Sequence, residues 1–186
     1  MIVSLARLFI SGFVLSCLAM HFLQPELSPV NDAVSYYMNG SQGWMLGAGL
    51  IALGAGSLLL ARAAGSWLIA IWGIGAIVGG IFPPDPIGSW AKPPTFSGSM
   101  HAGAAMIAFV AFPFGAWRLS RMAGGQLRFV ATLSIAMLAV FFACLSPVFG
   151  HKAPFVLGLV ERVLLAVYIW WLLVLSARVP SKMGQY

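Results

Sequence analysis

Long apolar runs recur along the chain and are separated by short polar stretches. Six of them approach the roughly 20 residues that a helix needs to cross a hydrocarbon core. None shows the strict alternation of a barrel strand, and helices satisfy their own backbone groups where no water is present. The pattern predicts spans over about 3–23, 43–61, 66–82, 101–117, 129–146 and 154–178. Ser97 or Ser99 is expected to cap the fourth span, with His101 in its first turn. Pro147 is expected to stop the fifth, and Pro154 to open the sixth.

The polar stretches carry their own signals. In 24–42, Ser28 followed by Pro29 reads as a helix start and Asn39 followed by Gly40 as a stop, with Val30, Val34, Tyr37 and Met38 on one side between them. A short interfacial helix is therefore predicted, with Tyr36 and Tyr37 at headgroup level. The 83–99 connection is stiffened by Pro83, Pro84, Pro86, Pro93 and Pro94, and Trp90 is expected to anchor it in the headgroups. Gly43 with Gly47, Ala48 with Ala52 and Gly56, and Gly75 with Gly79 lie four apart, the spacing that lets membrane helices approach closely.

Composition narrows the class. With 61% hydrophobic and 8% charged residues and a mean hydropathy of +0.96, the chain has too little polar surface to cover a water-soluble globule. The reading is an all-α, polytopic six-helix bundle in which residues 1–186 form one transmembrane domain. A net charge of +6 would admit nucleic acid as a partner, but its distribution argues for a bilayer instead. Arg7, Arg62, Arg118, Arg121, Arg128, Arg178 and Lys182 fall on one side of the predicted spans, and Lys92, Lys152 and Arg162 on the other. This asymmetry places both termini in the cytoplasm. No A-x-A-like cleavage site follows the first run, which stays a span rather than a signal peptide. Cys17 and Cys144 lie within spans and imply no disulfide framework.

The same topology puts all four acids (Glu26, Asp32, Asp85, Glu161) and all three histidines (His21, His101, His151) on the extracytoplasmic half. Ionisable groups inside a membrane are costly and point to function by default. An outward-facing pocket is expected where spans one, four and six end, roofed by 83–99 and using His21, Asp85, His101, Glu161 and Arg162. Glu161 and Arg162 project about 100° apart on a helix, so different partners are expected for each, in a structural or a functional role. His101 equally fits a cap of its helix or a bond to a loop carbonyl, Asp85 is an ordinary turn residue between prolines, and His151 is expected to be solvated.

Two metal readings stand beside ligand binding. Cys17 and His21, four apart on one helical face, could be joined by His101 and an acid around zinc. Bis-histidine haem between His21 and His101 is weaker, since no second pair lies opposite. Retinal is disfavoured because no lysine falls within a span, and a transporter because no internal repeat is evident. Ser97, four before His101, resembles the Ser-xxx-His element of alkaline ceramidase-like membrane hydrolases. The seven spans and late His-xxx-His pair of those proteins are missing.

Over nearly the whole chain, HFLQPELSP, VSYYMNGSQGWM, GG-FPPDP, SMH and GLVERVLLAVYIWW resemble the bacterial integral-membrane family catalogued as domain of unknown function 998. The resemblance implies a six-span fold in a bacterial inner membrane, no established activity, and His21, Ser35, Tyr36, Trp44, Asp85, His101, Glu161 and Arg162 as shared site residues. The function expected is binding of a small molecule or lipid headgroup. The alternatives are a metal-dependent intramembrane hydrolase or transferase around His21, His101 and Asp85, or a structural subunit joined to a membrane-protein partner or a second copy.

Overall fold

The computed structural model describes residues 1–89, 92–123, 125–149 and 156–179. It is built of α1 (Ile2–Leu23), α2 (Gly43–Ala64), α3 (Trp67–Ile81), α4 (Phe96–Ala123), α5 (Gly125–Phe149) and α6 (Leu157–Arg178), with a 3₁₀ helix (Val34–Asn39) between α1 and α2 and no strand among the described residues. Five of the six α-helices, all but α3, are long and apolar enough to cross a membrane. α3 is apolar but has 15 residues, about 22 Å at the helical rise.

Helix boundaries depart from the expected ones where a side chain takes over a backbone partner. α4 begins at Phe96 because Thr95, not Ser97 or Ser99, caps it: Thr95 Oγ1 accepts the Gly98 N–H at 3.0 Å. His101 thus lies in the second turn. Pro147 does not stop α5, which continues to Phe149. A proline inside a helix orphans the carbonyl four residues back. For Pro147 that carbonyl is Ala143's, and Ser146 Oγ donates to it at 2.8 Å. Pro113 inside α4 orphans the Phe109 carbonyl, which accepts from Tyr168 Oη of α6 at 2.8 Å. The predicted anchor Trp90, the solvated His151 and the helix start at Pro154 lie outside the described residues.

The 24–42 connection also differs from expectation. Ser28 N–H donates to Asp32 Oδ2 at 2.7 Å and Asp32 N–H to the Ser28 carbonyl at 2.8 Å. The start signal at Ser28 is spent on this closed turn, and helix begins only at Val34. The 3₁₀ helix packs against α2 with Val34 and Tyr37 buried, so Tyr37 lies inside the bundle and not on its outer surface.

α2 and α3 form an antiparallel pair in backbone contact. A Cβ on Gly47 would sit 2.8 Å from the Gly80 carbonyl oxygen, and one on Gly73 would sit 2.9 Å from that of Gly54. α4 and α6 supply an aromatic core, in which Phe112 stacks on Tyr168 at 3.9 Å between centroids and Trp72 and Trp171 meet these rings edge-on. The indole N–H groups are satisfied by Ser57 (3.1 Å) and Ser120 (3.2 Å), as buried tryptophans require.

Candidate functional site

The first turns of α6 are built around a close approach of the 24–42 connection. A side chain on Gly158 would strike the Asp32 carbonyl, so glycine lets the connection lie directly on the helix. There the Val30 carbonyl accepts the Leu159 N–H at 2.9 Å, one of the donors left open at a helix start. Glu161 Oε2 accepts the Val34 N–H at 2.7 Å. Arg162 Nη1 donates to the carbonyls of Asp32 (2.8 Å) and Gly158 (2.9 Å). Adjacent on α6, the two side chains thus hold opposite ends of one backbone segment.

Arg162 also fastens α1. Its Nε donates to His21 Nε2 at 3.0 Å, and its Nη2 to Tyr37 Oη at 3.3 Å, with the Tyr37 ring 5.6 Å from the guanidinium carbon. His21 Nδ1 lies 2.7 Å from the Cys17 carbonyl, which can only accept. The imidazole proton therefore sits on Nδ1 and the Nε2 lone pair faces Arg162. Of five guanidinium N–H groups, four are engaged, all by neutral acceptors, and one on Nη2 makes no hydrogen bond among the described residues.

At the opposite end of the same seam Arg7 of α1 donates to Ser176 Oγ at 2.9 Å and to the Ser176 carbonyl at 3.0 Å. Between these two fastenings α1 and α6 leave a groove of about 500 Å³. Its walls are Phe13, Val14, Cys17 and Leu18 on one helix and Leu165, Ala166, Ile169, Trp170 and Leu173 on the other, and its polar end is His21 with Arg162. Leu18, Ala166 and Leu173 are exposed, so the groove opens sideways.

His101 belongs elsewhere. Its Nδ1 donates to the carbonyls of Phe82 (2.8 Å) and Gly79 (3.1 Å) at the end of α3. With Glu161, Ser35, Trp72 and Phe109 it lines a separate cavity of about 60 Å³. Asp85 joins neither space. Its carboxylate accepts from Thr95 Oγ1 at 2.6 Å and from the Thr95 N–H, tying the 83–99 connection to the cap of α4. Trp44 is exposed near the start of α2, and Tyr36 is half-buried against the core. Ser35, Glu161 and His101 are thereby brought together, as are His21 and Arg162, while Asp85 and Trp44 stand apart. Among the described residues no group of three or more His, Cys, Asp and Glu side chains is placed to hold a metal ion. His21 also has both ring nitrogens engaged.

Two contributors, Gly158 and Tyr37, are not among the site residues expected from the sequence. Gly158 precedes the charged pair without any local signal of the backbone that lies against it. Tyr37 follows Val34 at the three-residue spacing of a 3₁₀ helix, a hint that both share the buried face.

No match is found among curated proteins or among solved structures. A family model does match, over residues 10–178, taking in the groove, the cavity and both arginine fastenings except Arg7 itself. The chain accordingly belongs to the family described as protein of unknown function DUF998.

Proposed function

We propose that this chain is a bacterial inner-membrane protein, one domain of six crossing helices with both termini in the cytoplasm, that holds a lipid acyl chain in the groove between α1 and α6. A sixth crossing is supported by α3, whose glycine face runs antiparallel along α2 from the Arg62 end of the bundle to the His101 end. Arg7, Arg62, Arg118, Arg121 and Arg128 lie at helix ends opposite Asp32, His21 and Glu161, which supports a cytoplasmic Arg7 end.

One observation carries the lipid reading: an apolar groove of about 500 Å³ ends on a guanidinium with one N–H that makes no hydrogen bond among the described residues. The volume falls in the roughly 300–1,000 Å³ of ligand sites. From Arg162 to Leu173 the wall extends about 16 Å along α6, a length suited to a chain and not to a compact solute. The free N–H fits an ester or phosphate oxygen of the lipid head. The test is lipid mass spectrometry of protein purified in mild detergent. Ala166→Trp, one turn after Arg162 on the same wall, fills the groove and should lower co-purified lipid by about tenfold, near 1.4 kcal/mol. Val140→Trp, on the exposed face of α5, should leave retention unchanged. Equal retention in all three proteins rejects the reading.

A further inference from the structure

We infer that Glu161 and His101 form a second, hydrated site inside the bundle that binds one exchangeable proton. This goes beyond the lipid reading and does not depend on it. Both residues are more than nine-tenths buried, with 7% and 8% of their surface exposed. Each spends one polar atom on structure: Glu161 Oε2 on the Val34 N–H, His101 Nδ1 on two carbonyls of α3. Because carbonyls only accept, the Nδ1 carries hydrogen and Nε2 of the neutral ring is an acceptor. Neither Glu161 Oε1 nor His101 Nε2 makes a hydrogen bond among the described residues, and both side chains line the same cavity.

The cavity's size and walls point to water. At about 60 Å³ it exceeds the roughly 10–15 Å³ that one water needs. Its remaining walls, chiefly Leu50, Trp72, Ala105, Phe109 and Leu165, are apolar apart from Ser35. No side-chain N or O among the described residues is fully buried without a partner, so Oε1 and Nε2 reach the cavity surface, and water there is the arrangement that leaves neither unpaired. Arg162 makes no hydrogen bond to Glu161, and a carboxylate among apolar helices is costly. One proton taken up from solvent removes that charge. On Oε1 it gives a neutral acid beside a neutral imidazole, and on Nε2 a carboxylate beside an imidazolium, with water carrying it between them. Two converging side chains fall short of the three or four protein ligands of a zinc site.

The other titratable groups on elements packed around α6 stand outside the cavity, and of them the Arg162 guanidinium acts on the Glu161 carboxylate through space. They are Cys17 and His21 on α1, Asp32 before the 3₁₀ helix, Tyr36 and Tyr37 within it, Arg162 and Tyr168 on α6, and Cys144 on α5. Arg7, Arg62, Arg118, Arg121, Arg128 and Arg178 lie toward the opposite end. None of these lines the cavity.

Infrared difference spectroscopy of the full chain in lipid nanodiscs, recorded across pH in H₂O and D₂O, tests the site. The chain has two glutamates, Glu26 and Glu161, so ¹³C-carboxyl glutamate labelling with Glu26→Gln isolates Glu161 even if Glu161→Gln fails to fold. A titrating, deuterium-sensitive carboxyl band is expected from Glu161. His101→Asn keeps an amide N–H near the Nδ1 position but offers nothing at Nε2. Ala105→Leu fills the cavity and displaces its water while leaving both polar groups in the chain. Each should shift that band and move its midpoint by about one pH unit, a tenfold change in proton affinity. A Glu161 band that does not titrate, or that is identical in His101→Asn and Ala105→Leu, overturns the inference.

Discussion

Single side chains in this bundle repair backbone defects that the apolar pattern conceals. Pro113 would leave the Phe109 carbonyl unpaired in the middle of α4, and the Tyr168 hydroxyl, 59 residues away, donates to it. Tyr168→Phe leaves that buried carbonyl without a donor and should destabilise the protein by about 1–2 kcal/mol. If the hydroxyl matters because of the proline, Pro113→Ala restores an N–H four residues after Phe109 and should recover much of the loss in the double variant. Unfolding in mixed micelles, read as a double-mutant cycle, measures the coupling. Additive losses would show that the hydroxyl serves some other purpose. This pairing was not legible in the sequence. A proline reads locally as a helix stop, and the group that cancels the defect comes from another helix; Ser146, which lets α5 pass Pro147, acts from the neighbouring position and was closer to being readable.

At the scale of elements, the sequence pattern grouped His21, Asp85, His101, Glu161 and Arg162 into one pocket, and the fold divides four of them between two sides of α6 and leaves Asp85 on the 83–99 connection. Periodicity does contain the reason, since neighbours on a helix diverge by about 100°. Glu161 turns to the cavity that His101 lines, and Arg162 to the groove beside α1. What one helical wheel cannot supply is the third party, the backbone of the 24–42 connection, which both residues grip. Gly158 is the hinge of that arrangement. Gly158→Ala places a methyl against the Asp32 carbonyl and should cost about 1–3 kcal/mol. It should also make the connection more sensitive to protease, because the bonds from Val34, Leu159 and Arg162 stretch together. Gly12, with nothing within 4 Å of an added Cβ, is the matched control: its replacement by alanine removes a helix-interior glycine and should leave stability unchanged or raise it by up to about 1 kcal/mol. Equal effects at both glycines would mean that the connection does not need its close approach.

For the molecule as a whole, hydropathy was sufficient to locate the helices, because a bilayer demands apolar length and internal hydrogen bonding before anything else. It was less informative about α3, whose 15 residues fall below the usual crossing length. The positions of the arginines bear on the same question, since they alternate correctly only if α3 crosses. Between the exposed Asn31 and the exposed Gln126 the chain passes through α2, α3 and α4. Three crossings put those two residues on opposite sides, and two put them on the same side. In a chain whose Cys17 and Cys144 are replaced by alanine, Asn31→Cys should react with a membrane-impermeant maleimide in intact cells whose outer layer has been opened. Gln126→Cys should react only after the inner membrane is permeabilised. Labelling of both in intact cells would mean that α3 enters the bilayer without crossing it, and labelling of Gln126→Cys alone would invert the orientation read from the charges.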